Sequence, residues 1–186
     1  MSDRIPRLPL DAMPAPLAAA LRPRVERLGY LGEFFQCAAN VPDALLAFQQ
    51  LTEALKAALP DRVTEVVALS VASQLGNDYE RHQHERLCRR LGFADEWIRA
   101  VEAGSPSEMA ALDDTDRAVQ HLTLAMLARH GHAVHAELDA VVQRLGAASA
   151  VAVLLLVGRY VTHALAVNAL NLAPPVASPL ERGVGG

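Results

Sequence analysis

Asn77, Tyr79, Glu80, His82 and His84 crowd the head of one helical stretch, and Glu65 lies upstream in an otherwise apolar segment. An acid, a phenol and imidazoles gathered this way suit proton transfer. With reactive thiols among them they would suit redox chemistry, and with neither they would simply cap a helix. The spacing helps to separate these cases.

On a helical wheel at about 100° per residue, Glu80, Leu87, Cys88 and Leu91 fall within roughly 60° of His84. His84 and Glu80 therefore share the face that should meet the core, and their i, i+4 spacing lets the side chains touch. A carboxylate there fixes the imidazole tautomer and raises its basicity. His82 falls opposite, among Arg86 and Arg89, and is expected to be solvated. Asn77 followed by Glu80 also matches a capping box, with Asn77 as N-cap and Glu80 reaching back to the cap amide.

Glu65 sits in Arg62-Val-Thr-Glu65-Val-Val-Ala-Leu, apolar nearly all round and so expected to be buried. A buried carboxylate must be paired, and burial raises its pKa towards the range useful for proton transfer. Arg62, one turn earlier, is one candidate partner. His84 is the other, but in one continuous helix the two would stand about 28 Å apart at 1.5 Å per residue. They meet only if the chain folds back at Gly76-Asn77 or a second subunit supplies one of them.

The elements that must position these groups read as helices almost throughout. Apolar residues make up 52% of the chain and aromatics only 4%, a balance rich in Ala and Leu that favours packed helices over sheets. Helical spacing predicts segments at 16–28, 30–39, after Pro42, 62–75, 78–91, 95–103, 114–129, 136–145 and 147–172. Residues 1–12 read as an extended arm, 13–172 as one all-α domain and 173–186 as an irregular tail. The run 151–157 is strongly apolar, but Gly158, Arg159 and His163 interrupt it, so a buried or interface helix is expected rather than a membrane span. The net charge of −4 gives a nucleic-acid surface no support. Two cysteines without a C-x-x-C or zinc spacing and no signal-peptide pattern point to a soluble protein of a reducing compartment, the cytoplasm.

Glu65, then Asn77-x-Tyr79-Glu80-x-x-x-His84, then Gly92, resembles the carboxymuconolactone decarboxylase family, which includes the alkyl hydroperoxidase D-like proteins. The likeness extends over about 30–172, and its specific part is 62–92. It implies an all-α domain of about seven or eight helices, no cofactor or metal, and a trimeric or hexameric homo-oligomer. In hydroperoxidase members the helix head carries Cys-x-x-Cys followed by His, with an upstream Glu in a proton relay. Glu65 and His84 match that Glu and His, whereas Asn77 and Glu80 stand where the cysteines would be and Tyr79 where a His is common. Thiol peroxidase chemistry needs a low-pKa cysteine and a resolving partner, which neither Asn77 nor Glu80 supplies.

The expectation is therefore a cofactor-independent acid–base enzyme acting on a small carboxylated or lactone substrate. His84 would transfer the proton, Glu80 orient it and Glu65 relay from the core, with Tyr79 and Asn77 touching substrate. A hydroperoxidase-like antioxidant and a non-catalytic helical assembly or binding module are the alternatives. His130, His132 and His135 lie at a helix end without acids at fixed spacing, so no metal is expected there. Arg159 is expected in an ion pair within the fold, with a substrate carboxylate as the other partner it could serve.

Overall fold

The computed structural model describes residues 4–106 and 110–180. Every regular element among them is helical: α1 (Ala15–Leu28), α2 (Glu33–Ala38), α3 (Pro42–Ala58), α4 (Asp61–Gln74), α5 (Asp78–Arg90), α6 (Asp95–Ala103), α7 (Asp114–Arg129) and α8 (His135–Ala169), after a short 3-10 turn at Leu10–Ala12. The two helices expected at 136–145 and 147–172 stack end to end in α8, separated by Gly146, whose φ of 81° and ψ of 164° leave the helical region. Only glycine takes that conformation without strain.

α4 is the axis of the fold. Its residues from Val63 to Ala72 are all buried, packed between α5, α7 and α8. A helix apolar on every side needs neighbours on every side. Gly76, at φ 61°, and Asn77 then turn the chain sharply. Asn77 caps α5 by accepting from the Glu80 amide, so α5 folds back along α4. This is the fold-back that Glu65 and His84 require.

Arg62, at the start of α4, binds Asp116 of α7 through Nη2 at 2.6 Å and Nε at 2.9 Å and stacks over Trp97. It is thereby taken from Glu65, which must find its partner elsewhere. Arg62→Met should cost about 1–3 kcal/mol, because the buried Asp116 carboxylate keeps only the Trp97 and Asp113 N–H donors. Thermal or urea unfolding checks this.

α8 passes the length and composition test for crossing a membrane. Its second half nevertheless turns one face inward, carrying Val153, Leu156, Tyr160 and Ala164 together with the polar Arg159 and His163. The opposite face leaves Val151, Leu155 and Leu165 exposed.

Neither chain end hangs free where it is described. The Leu8 amide donates to Gln36 O. The tail crosses α5 as a strap, where Ser178 Oγ donates to Glu85 at 2.5 Å and Val176 O lies 3.1 Å from His82 Nδ1. This corrects the expectation for His82. It is buried, because the strap covers the side of α5 that periodicity assigns to solvent.

Candidate active site

The α4–α5 turn brings Glu65 and His84 together within one chain. His84 Nδ1 donates to Glu65 Oε2 at 2.6 Å, and its Nε2 donates to Glu80 Oε2 at 2.8 Å. Both carboxylates and the ring are buried. An imidazole that donates from both nitrogens is an imidazolium. Burial opposes that charge, but the charge and hydrogen bond of Glu65, followed by those of Glu80, outweigh it and hold the His84 pKa up at about 9. Glu80 is pushed up by burial and pulled down more strongly by His163 and His84, so it stays well below the usual carboxylate range.

His163, from α8, is the neighbour that sequence reasoning did not place here. Its Nε2 stands 2.9 Å from Glu80 Oε1 but off the hydrogen-bond line, and its ring lies on Phe34 with centroids 4.1 Å apart. Burial lowers its pKa against the pull of Glu80. It thus supports Glu80 from the core side while favouring the neutral form.

Glu80 and His84 form one wall of a recess of about 50 Å³, to which Arg24, Lys56, Arg159 and Tyr160 also contribute. At about 10–15 Å³ for one water, this admits only a few atoms, the reacting end of a molecule. Arg159 is almost wholly buried and has no carboxylate within ion-pair distance among the described residues. Its Nε donates to Thr52 Oγ1 at 3.0 Å, its guanidinium lies over Phe48 and Tyr160, and Nη1 has no partner. The ion pair expected for it within the fold is therefore absent. Burial lowers the pKa values of Lys56 and Arg24, with Glu65 and Glu80 respectively opposing the drop. The recess is thus a desolvated, cationic chamber over a two-carboxylate imidazolium. Buried cationic donors without partners call for an anion.

The other expected site residues sit elsewhere. Asn77 is a buried N-cap, and its side chain meets the Glu80 amide rather than the recess. The capping box is only half made. The Asn77 amide donates to Ala72 O, and the Glu80 carboxylate goes to the histidines. Tyr79 points the other way, into the packing of α1 and α2. Its hydroxyl accepts from the Phe34 amide at 3.2 Å, where a Cβ on Gly32 would come within 2.5 Å. Both side chains are spent on the fold, and neither lines the recess.

The cysteines are likewise inert in geometry. Both are buried and free, Cys37 in the packing of α1–α3 and Cys88 beside Glu65, with Sγ to Oε2 at 3.5 Å. Burial, followed by the Glu65 charge, pushes the Cys88 thiol up, the opposite of an activated thiolate. Among the described residues no three His, Cys, Asp or Glu side chains converge as metal ligands, the 130–135 histidines included.

The model of the carboxymuconolactone decarboxylase family matches residues 41–120, which hold α3 to α6 and the whole Glu65–His84 motif. A variant of the debrominase Bmp8 solved with 2,3,4-tribromopyrrole superposes with a TM-score of 0.80 at 17% identity, covering 96% of this chain and 95% of that one. The alkylhydroperoxidase AhpD core of a peroxidase-related protein from Ralstonia eutropha JMP134 gives 0.80 at 16%, over 94% and 93%. Residues 41–120 thus carry the signature of the carboxymuconolactone decarboxylase family, and the fold is AhpD-like. A protein of unknown function from Agrobacterium tumefaciens also matches, with a TM-score of 0.69 at 17% identity over 75% of this chain and 96% of that one. No curated protein matches the sequence. At such identities the structural likenesses establish the fold, and the chemistry rests on this chain's own residues.

Proposed function

We propose that this protein is a cofactor-independent acid–base enzyme acting on a small carboxylated or lactone substrate, with decarboxylation as its reaction. The observation that carries this reading is the buried Glu65–His84–Glu80 chain, which ends on a recess whose other charges are cationic. His84 holds the proton. Both its ring nitrogens are engaged, so the group that exchanges with substrate is Glu80, which lines the recess beside the imidazolium. Glu65 holds the compensating charge in the core.

In the proposed step the bond between the substrate carboxylate and its α-carbon breaks, CO2 leaves, and the electron pair passes into an enolate. A cation on the departing carboxylate would oppose this step, whereas one on the enolate oxygen favours it. Arg159, with its unpartnered Nη1, takes the enolate oxygen. A proton from His84, passed through Glu80, then quenches the α-carbon. The test is CO2 release across a panel of carboxylated lactones and β-keto acids, with Glu80→Gln as the control. Turnover that survives in Glu80→Gln would remove the reading.

The antioxidant alternative draws on the names of the AhpD-like relatives and on Cys88 touching Glu65. A Cys37→Ala, Cys88→Ala double variant is expected to keep full turnover. Loss of a peroxide-reducing activity in that variant would favour the thiol reading instead. We further propose that exposed Val151, Leu155 and Leu165, on one face of α8, build a homo-oligomer in the cytoplasm.

A further inference from the structure

Outside the acid–base recess lies a larger hollow of about 490 Å³, walled by α1, α5 and the strap. The two share Arg27, Leu28, Gln83 and Arg90, so the hollow is the vestibule of the recess. Its polar floor is already satisfied, since the Tyr30 hydroxyl donates to Gln83 Oε1 at 3.2 Å and Gln83 Nε2 donates to Tyr79 O at 2.9 Å. Its charge is not satisfied. Arg89 is held by Asp95 at 2.5 Å, but Arg27, Arg86 and Arg90 have no carboxylate within ion-pair distance among the described residues. Arg86 and Arg90 stand at i, i+4 on one face of α5. Both line the hollow together with Tyr30. Leu28, Val176 and Pro179 supply an apolar wall beside them.

A single carboxylate engages one guanidinium fork. Three unneutralised forks converging on one hollow match a tetrahedral dianion, whose three terminal oxygens accept from several guanidiniums at once. The apolar wall suits an organic body attached to it. We propose that this vestibule binds a phosphate monoester, so that the substrate class is an organic acid carrying a phosphate handle, the handle on Arg27, Arg86 and Arg90 and the acid end in the recess. The location of the acid end rests on the acid–base reading above. The handle site does not.

The test measures calorimetric binding of phenyl phosphate, benzoate and inorganic phosphate to the full chain and to Arg86→Ala/Arg90→Ala. Phenyl phosphate should bind about tenfold or more tighter than benzoate, for want of a second charge on the latter, and than inorganic phosphate, which misses the apolar wall. The double arginine variant should lose about tenfold or more. Both residues are exposed, so its fold should be intact. Equal affinity for phenyl phosphate and benzoate, or unchanged binding by the arginine variant, would overturn the proposal. Tight phenyl phosphate binding by a chain that releases no CO2 from any substrate would sink the acid–base reading and leave the handle site standing.

Discussion

Glu65→Gln should lower turnover by about 10²–10⁴-fold while leaving the fold in place, the range expected when an acid–base relay loses its charge. The Gln carbonyl can still accept from His84 Nδ1, but it no longer compensates an imidazolium. The His84 pKa therefore falls from about 9 towards that of an ordinary histidine. This change also alters how stability depends on pH. In the parent the folded pKa lies above the unfolded value of 6.5, so the stabilisation is complete below about pH 6.5 and is lost as pH rises through about 9. Melting temperatures at pH 6.5 and 9.5 should differ clearly in the parent and converge in Glu65→Gln. His84→Ala is the harsher change. It leaves two buried carboxylates without their shared cation, at a cost of about 3–5 kcal/mol, so lost activity there would say little about chemistry.

Arg159→Met should reduce kcat/KM by about 10²-fold, the loss expected when one partner of a desolvated charge pair with substrate is removed. The thioether stem still fills the space between Phe48 and Tyr160. Removing a buried guanidinium with an unpartnered Nη1 relieves an unmet donor, so stability should hold or rise. Arg159→Lys should not restore activity, since a point charge lacks the planar fork. Steady-state kinetics and thermal melts separate the two roles. Intact kcat/KM with a large drop in melting temperature would make Arg159 a packing residue.

The parts of this site that were legible in sequence were local ones. Glu80 and His84 declare themselves by i, i+4 spacing on an apolar face, and Glu65 by being ionisable inside a helix apolar on all sides. The Gly76-Asn77 break shows that the helices can fold back. Which partner Glu65 takes depends on Asp116 and Trp97 capturing Arg62, a contact across more than fifty residues that no periodicity reveals. The cations of the recess come from α1, α3 and α8, and their convergence is set by how those helices pack. Arg159 was visible only as a polar intruder in an apolar run. The burial of His82 and the partner of Tyr79 are not legible for one reason: helical wheels give a face but not its covering. For His82 the covering is an irregular strap. For Tyr79 it is an amide donor forty-five residues earlier in the chain.

Everything proposed for the site follows from His84 being a stable imidazolium that bridges two carboxylates. Nitrogen-15 chemical shifts of the His84 ring, followed from pH 5 to 10.5, test this most directly. Two protonated ring nitrogens are expected through neutral pH, with a titration near 9 that shifts downward in Glu65→Gln. A ring that titrates near 6.5, or a single protonated nitrogen at pH 7, would contradict it.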